Sequence, residues 1–165
     1  RNDILTPKDG WYLKAYSGYN FSSSNYFDAS LDGRYYKTWK NRFTLAGRFY
    51  NKVLAGTPVF YDYSIIGGDN IVRGYRYGRY RDKNLTTLQA EFRAHLFWRI
   101  GMAAFAGVSN LYPTISKFDF NTIKPNAGLG LRILFSKKDD TWLRLDYAVG
   151  ANGNNGFYVS FGESF

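Results

Sequence analysis

The sequence contains no cysteine, and it has one histidine and one methionine among 165 residues. The absence of cysteine excludes disulfide bonds. A single histidine without cysteine cannot supply the four ligands of a closed zinc site, and no Asp-rich loop of the calcium-binding type is present. We therefore expect no bound metal and no cofactor.

Long apolar runs are also missing from the sequence. No stretch approaches the ~18 consecutive apolar residues that a membrane-spanning helix requires, so a hydrophobic helical span is excluded. The low mean hydropathy of −0.39 does not exclude a membrane β-barrel, because lipid-facing and lumen-facing residues alternate along barrel strands. No apolar leader stands at Arg1–Asp3, so we expect any secretory signal to lie outside this sequence.

Aromatic residues are abundant, with 15 Tyr and 14 Phe, and this composition favours β-strands. Apolar and polar residues alternate in eight segments, and a closed bacterial barrel requires an even number of strands. Transmembrane strands take ~9–11 residues each, so the length accommodates eight of them with turns. We predict an all-β fold, an antiparallel transmembrane β-barrel of eight strands, as one domain over residues 1–165. The segments lie near residues 10–18, 26–38, 42–52, 85–99, 101–110, 126–135, 141–149 and 156–165.

The alternating segments have one apolar and one polar face. A soluble barrel would turn the apolar face inward, whereas an outer-membrane barrel turns it to lipid. Two features favour the arrangement in which the apolar face contacts lipid. Charged residues crowd the polar face, where they can pair across a lumen. The four Trp residues stand near segment ends, as in an interfacial girdle. The fourth segment has Gln89, Glu91, Arg93 and His95 on its polar face, and the predicted girdle is Trp11, Trp39, Trp98 and Trp142.

The predicted connections differ in length between the two ends of the barrel. Short turns are predicted at Lys40-Asn41, at Ile100-Gly101 and at residues 136–140. The longest connection is a loop of roughly thirty residues from Val53 to Lys83, and loops of that length are usually functional. Short turns of outer-membrane barrels face the periplasm, so we expect this loop outside the cell or in the lumen.

The long loop contains the sequence Gly67-Gly68-Asp69-Asn70-Ile71-Val72-Arg73-Gly74-Tyr75. It resembles the GG-x-x-x-VRG-aromatic loop motif of the BamA-type superfamily of outer-membrane assembly factors and translocases, also called bacterial surface antigens. The resemblance covers essentially the whole chain, as the last eight strands of a barrel that normally has sixteen, and we expect a short member or fragment of the family that lacks the periplasmic POTRA domains. The residues that carry the motif are Gly67, Gly68, Val72, Arg73, Gly74 and Tyr75.

The final segment is similar to the aromatic-rich terminal signal by which such barrels are recognised for insertion. The resemblance therefore implies that the barrel assembly machinery inserts this chain into the outer membrane. The residues of this insertion signal are Phe157, Val159, Phe161, Gly162 and Phe165.

One position departs from the family pattern. Gly107 stands where family members carry the acidic partner of the loop arginine. A cation buried in a lumen needs a charged partner, and Glu91, on the polar face of the preceding segment, is the partner that we predict for Arg73. The alternative is that Arg73 is solvated in a mobile loop.

Three residue patterns suggest other activities. His95 could serve a lipid-modifying enzyme together with a Ser and an Asp, but a lone histidine beside Gln, Glu and Arg favours a polar lumen network. Asp146 and Arg144 have opposite charges, which favours an ion pair over acid–base catalysis. The stretch Arg73–Arg81 mixes basic and aromatic residues as nucleic-acid binders do, but its place beside the motif favours packing in the lumen or contact with lipopolysaccharide phosphates. We expect neither an enzyme nor a nucleic-acid-binding protein.

The resemblance implies an outer-membrane protein of a Gram-negative bacterium that assists the insertion or assembly of other barrels, or remodels the membrane locally. In this family the first and last barrel strands pair weakly, and client strands are added at that junction. Here the junction would lie between the strand that starts near Gly10 and the one that ends at Phe165. A closed structural barrel or a narrow pore is the alternative, and a lipid-modifying enzyme is the third. The expected partners are outer-membrane lipid, lipopolysaccharide and the barrel assembly machinery.

Size limits the arrangement of the long loop. The interior of an eight-stranded barrel is just wide enough for its own side chains. The loop therefore lies outside the pore, or two copies join edge to edge as a homodimer, in a barrel of sixteen strands that encloses both loops.

Overall fold

The protein is built of ten β-strands in a computed structural model that describes residues 7–21, 25–69, 71–136 and 141–165. The eight long strands are β1 (Gly10–Phe21), β2 (Asn25–Trp39), β3 (Phe43–Gly56), β6 (Asn84–Phe97), β7 (Ile100–Tyr112), β8 (Lys124–Ser136), β9 (Thr141–Gly150) and β10 (Asn155–Phe161). The two short strands are β4 (Ser64–Ile66) and β5 (Tyr80–Asp82), and single-turn 3-10 helices lie at Phe60–Asp62, Ile115–Lys117 and Phe120–Thr122. No helix in these ranges is long and apolar enough to cross a bilayer.

The long strands form one sheet in the order β1-β2-β3-β6-β7-β8-β9-β10, and every neighbouring pair is antiparallel. The short strands β4 and β5 pair with each other as a hairpin inserted between β3 and β6. The prediction of an all-β antiparallel fold is confirmed, and each of the eight alternating segments corresponds to one long strand.

The short turns agree only partly with the sequence. Lys40 and Asn41 form the predicted turn, both at positive φ. The turn predicted at Ile100-Gly101 is wrong, because β6 ends at Phe97 and the chain reverses at Trp98-Arg99. The alternation continues through Trp98 and so does not mark the reversal. The predicted turn at residues 136–140 lies outside the described residues, apart from Ser136 at the end of β8.

The sheet is not closed into a barrel. Among the described strands, β1 pairs only with β2 and β10 only with β9. The prediction of a closed eight-stranded barrel is therefore not met in the single chain. The physical reason is space: the interior of such a barrel holds little beyond its own side chains, and here residues of the long loop also lie against the sheet.

The two faces of the sheet have opposite character, as the alternation predicts. The inner face, which carries Glu91 and Asp146, is polar, and both of these residues are fully buried. The outer face carries apolar side chains that are exposed, among them Leu129 at 61% and Phe157 at 65%. The usual arrangement of a soluble protein is therefore inverted.

The tryptophans divide between the two faces. Trp11, Trp39 and Trp98 are exposed, in keeping with a girdle. Trp142 is 9% exposed and packs its ring against that of His95, with centroids 5.3 Å apart. Its assignment to the girdle is wrong, because Trp142 shares the inward alternation of Arg144 and Asp146 along β9.

Two small apolar clusters lie within the polar inner face. One consists of Ile66, Val72, Tyr75 and Leu85, and the other of Tyr36, Ala46 and Phe165. The first cluster joins the long loop to β6. The second joins residues beyond β10 to β2 and β3, so the sheet curves until its two sides approach each other.

Candidate functional site

The long loop is attached to the inner face of the sheet. Strand β3 continues to Gly56, so the connection is slightly shorter than the predicted loop of Val53 to Lys83. The β4–β5 hairpin joins the two arms of the loop, with Ser64 opposite Asp82 and Ile66 opposite Tyr80. The motif residues lie between these two strands, and Asn70 is the one motif position outside the described residues.

Glycines allow the motif to approach other backbone closely. Gly74 has a φ of +94°, and a Cβ at this position would lie 2.8 Å from the carbonyl of Val149 in β9. Gly67 has a φ of +108°, and its Cβ would lie 2.8 Å from the carbonyl of Arg76. Gly68 also has a positive φ, of +92°. A side chain at Gly67 or Gly74 would be strained and would also push the loop away from its contacts.

Tyr75 fastens the motif to the ends of two strands. Its hydroxyl donates to the carbonyl of Pro125 at 2.6 Å and accepts from the backbone N–H of Ala151 at 3.0 Å. Its ring lies over Gly150, where an added Cβ would be 2.6 Å from the ring. Burial raises the pKa of the Tyr75 phenol. Together with buried Val72, it forms the apolar anchor of the loop.

Arg73 occupies the centre of the site. Its Nη2 donates to Glu91 of β6 and its Nη1 to Asp146 of β9. Its guanidinium carbon lies 3.4 Å from the centroid of the Phe105 ring in β7. We call Arg73, Glu91, Phe105 and Asp146 the Arg73 cluster. The side chain of Arg73 is 3% exposed, so the alternative prediction of a solvated Arg73 is wrong.

Glu91 is the partner that the sequence predicts for Arg73, whereas the sequence pattern pairs Asp146 only with Arg144. The structure places Asp146 against Arg73 and Arg132 as well as 3.4 Å from Arg144. The alternation in β9 shows that Asp146 faces inward, but only the curvature of the sheet brings it within reach of the loop.

Gly107 stands in a crowded position, where the acidic residue of the family pattern would require its neighbours to shift. A Cβ at this position would lie 2.8 Å from Oδ1 of Asn126 and 3.0 Å from the carbonyl of Leu88. The site therefore receives its second carboxylate from β9, while the ring of Phe105, two residues before Gly107, supports the guanidinium.

Further arginines surround the Arg73 cluster and balance its charge. Arg132 bonds to Glu91 at 3.4 Å and to Glu163 at 3.0 Å, and Arg93 bonds to Glu91 at 2.8 Å. The loop itself supplies Asp69, whose carboxylate accepts from Arg144 at 3.1 Å. Four arginines thus meet four carboxylates, and two of these eight groups belong to the loop. Burial of charge is tolerated because each group has a partner.

The structure separates the predicted residues of the insertion signal. Phe157, Val159 and Phe161 project from the outer face of β10 and are exposed. Gly162 has a φ of 76° and redirects the chain inward. Phe165 is 3% exposed and packs with Tyr36 and Ala46, while its carbonyl accepts from Arg93 at 3.1 Å. The predicted strand thus ends at Phe161, and the 162–165 segment lies on the inner face.

The remaining candidate residues have structural contacts. His95 lies 3.1 Å through Nε2 from the carbonyl of Trp98 and packs on Trp142, and neither contact supplies a nucleophile or an orienting carboxylate. In the basic stretch, Arg79 donates to Asn154 at 2.8 Å and Arg81 stacks on Phe60. Within the described ranges, no group of three His, Asp or Glu residues is arranged to hold a metal.

Comparison with protein families matches residues 1–165 to the Omp85 superfamily domain. No curated protein matches the sequence. The family match spans the whole sequence, and it confirms the resemblance that the loop motif indicates.

Proposed function

Since the chain belongs to the Omp85 superfamily, we propose that it resides in the outer membrane of a Gram-negative bacterium and assists the insertion of other β-strands at an edge of its sheet. Proteins of this superfamily are outer-membrane proteins, and they generally act in insertion or translocation without enzymatic chemistry. The observation that carries the proposal is an antiparallel sheet of eight long strands whose outer face is apolar and exposed.

The outer face supports a membrane location. Its side chains include Leu13, Leu88, Leu129, Phe157 and Val159, all more than half exposed. Soluble proteins seldom expose contiguous apolar patches of this kind, whereas lipid makes them favourable. Most of the long strands have ten or more residues, which is enough to cross the hydrocarbon core when tilted.

The edge strands support a role in strand insertion. Unpaired N–H and C=O groups have no water to bond in the hydrocarbon core, and each costs several kcal/mol. A strand of another polypeptide removes this cost when it pairs with β1 or β10, as in β-augmentation. The Arg73 cluster fixes the long loop between β6 and β9, so the loop would stay in place while a strand is added at the edge.

Among the described residues, β1 and β10 do not pair with each other as a closed barrel requires, and the loop occupies the inner face at β6 and β9 where a pore would pass. His95 contacts the carbonyl of Trp98 and the ring of Trp142, and neither is a nucleophile.

The proposal is tested by the folding of an unrelated eight-stranded barrel into vesicles of outer-membrane lipid that contain this protein. We expect folding to be several-fold faster than in vesicles with an equal mass of a closed barrel. Proline at an edge is tolerated by the fold but removes a donor. Along β10, successive backbone N–H groups point alternately to β9 and to the outer edge of the sheet. Of the two variants Val159→Pro and Ser160→Pro, one therefore removes a donor from the outer edge. We expect that variant to abolish the acceleration.

The alanine variants Val159→Ala and Ser160→Ala are the matched controls and retain the acceleration. Equal client folding with and without the wild-type protein contradicts the proposed function.

A further inference from the structure

Two short turns in the middle of the sheet share a sequence pattern. The β2–β3 turn contains Trp39-Lys40 and the β6–β7 turn contains Trp98-Arg99, so each has a tryptophan followed by a cation. Strands β3 and β6 are neighbours in the sheet, so the two turns lie at the same end, two strand spacings or roughly 10 Å apart. Tryptophan is enriched where a membrane meets water. The pattern thus places two cations side by side at the level of lipid headgroups.

Each turn adjoins an apolar groove on the outer face. In the first groove the rings of Phe43 and Phe92 stack with centroids 5.9 Å apart. In both grooves the tryptophan and the cation of the adjacent turn belong to the lining, and the other lining side chains are apolar. The first groove is lined by Trp39, Lys40, Phe43 and Phe92. The lining of the second includes Trp98, Arg99, Ile100, Leu131 and Phe135.

The cations at these turns have no acidic partner. Lys37, at the same end of the sheet, pairs with Asp9 at 3.4 Å. By contrast, no carboxylate in the described part of the chain forms an ion pair with Lys40, Arg42 or Arg99. The Nε atom of Arg99 is buried and has no hydrogen-bond partner among the described residues. Buried polar atoms usually have a partner, so the guanidinium of Arg99 has a donor that these residues do not use.

Hydrogen bonds hold the two turns in a fixed relation. Arg42 follows the first turn, and its Nη2 donates to the carbonyl of Leu96 at 2.7 Å, while its Nε donates to that of His95 at 3.2 Å. Both carbonyls belong to the end of β6, just before the second turn. The carbonyl of Arg99 accepts from the backbone N–H of Leu134 at 2.8 Å, which fixes the second turn to β8. The backbones that carry the two cations are therefore preorganised, which lowers the entropic cost of binding a ligand between them.

We propose that an anionic phospholipid of the periplasmic leaflet binds across the two turns, with its phosphate between Lys40 and Arg99 and its acyl chains in the two grooves. This inference rests on the membrane placement proposed above, in which short turns face the periplasm. Phosphate oxygens accept charge-assisted hydrogen bonds from arginine and lysine, and basic clusters beside a membrane attract anionic lipids. The ammonium group of phosphatidylethanolamine is repelled by the same cations, so the site discriminates between headgroups.

The tryptophans of the two turns allow a direct test by fluorescence quenching. The protein is folded into phosphatidylcholine vesicles that contain a minor fraction of either phosphatidylglycerol or phosphatidylethanolamine, brominated on its acyl chains. Variants retain only Trp39, only Trp98 or only Trp11, with phenylalanine in place of the other tryptophans. We expect brominated phosphatidylglycerol to quench Trp39 and Trp98 about twofold more than brominated phosphatidylethanolamine does. Trp11, which is exposed but lines neither groove, should be quenched equally by both.

Lys40→Gln combined with Arg99→Gln should abolish the preference for phosphatidylglycerol, because it removes both proposed phosphate ligands. Arg76→Gln combined with Lys117→Gln is the matched control, since it removes the same charge from two exposed residues at the opposite end of the sheet, and it should retain the preference. Unchanged quenching by brominated phosphatidylethanolamine shows that each variant is inserted. A full preference in the first double variant overturns the site, and so does an equal loss in the control.

The outcomes separate this inference from the proposed function. Equal quenching of Trp39 and Trp98 by the two brominated lipids overturns the phospholipid site and leaves the membrane placement standing. Absence of quenching by either lipid contradicts the placement, and with it both proposals. The assembly role is measured separately, by client folding in vesicles that lack phosphatidylglycerol.

Discussion

The guanidinium of Arg73 donates to the carboxylates of Glu91 in β6 and Asp146 in β9. It also lies against the ring of Phe105 in β7. Lysine has a single ammonium group and lacks the planar fork that such an arrangement requires. The aromatic ring of Phe105 adds a cation–π contact in a desolvated site. At the scale of the residue, the identity of position 73 therefore matters more than its charge.

We expect Arg73→Ala to lower the free energy of unfolding by about 3–5 kcal/mol, because it leaves Glu91 and Asp146 buried without their shared partner. Arg73→Lys should lose about half as much. The measurement is urea unfolding of the protein folded in lipid vesicles. Arg79→Ala is the control: the exposed side chain of Arg79 donates to Asn154 and lies 5.6 Å from the ring of Tyr80, so its loss should cost less than about 1 kcal/mol. Equal effects of the two alanine variants would contradict the central role of Arg73.

Two phenylalanines near the end of the chain offer a second comparison at this scale. Phe165 is buried with Tyr36 and Ala46, whereas Phe161 is 60% exposed on the outer face. Phe165→Ala should lower the free energy of unfolding by about 3–5 kcal/mol, as expected for a buried ring. Phe161→Ala should cost less than about 1.5 kcal/mol in the same assay. A larger loss for Phe161 would mean that the 162–165 segment does not pack inside.

At the scale of the element, the long loop behaves as a folded part of the sheet. The β4–β5 hairpin holds its base, Tyr75 joins it to the ends of β8 and β9, and Asp69 and Arg73 complete the buried ion pairs. These contacts reach β6, β8 and β9, so local changes in the loop affect the inner face across these strands.

We expect Gly74→Ala to detach the loop, because the added methyl group would lie 2.8 Å from the carbonyl of Val149 at a strained φ of +94°. Limited trypsin digestion should then cleave at Arg76, Arg79 or Arg81 at least ten times faster than in the wild type. Gly78→Ala is a matched control, since its φ of +77° is also positive but no atom lies within 4 Å of the added Cβ. Its cleavage rate should change by less than threefold. Similar rates for both variants would show that backbone strain, and not the contact with β9, determines loop attachment.

At the scale of the whole molecule, the protein inverts the usual distribution of polarity. Its ion pairs lie against the loop on the inner face, and its apolar residues cover the outer face. This inversion is stable only where the outer face contacts lipid, so the surroundings of the tryptophans report the orientation.

We expect lipids brominated on their acyl chains to quench the fluorescence of variants that retain only Trp11, only Trp39 or only Trp98. A variant that retains only Trp142 should be quenched at least threefold less, because this ring lies inside against His95. Each variant replaces the other three tryptophans by phenylalanine. Strong quenching of Trp142, or weak quenching of the other three, would contradict the assignment of the outer face to lipid.

Much of the fold follows from the sequence because alternation with a period of two is a local property. It determined the eight strands, the antiparallel order and the choice of inner face, and the VRGY sequence determined which loop carries the site. Glu91 was found in the same way, since its inward direction follows from its neighbours Gln89 and Arg93 through the alternation alone. The resemblance to the family also identified Gly107 as a position where the expected carboxylate is missing.

The tertiary structure alone decided how these elements meet. Asp146 reaches Arg73, and Phe165 reaches β2 and β3, because the sheet curves, and curvature depends on contacts between strands far apart in the chain. The turn at Trp98 and the inward place of Trp142 also escaped prediction, since tryptophan suits both a lipid-facing girdle and a buried aromatic contact. That β1 and β10 do not pair with each other is likewise visible only in the tertiary structure, because the distance between the two sides of the sheet depends on its curvature and on the loop that lies against its inner face.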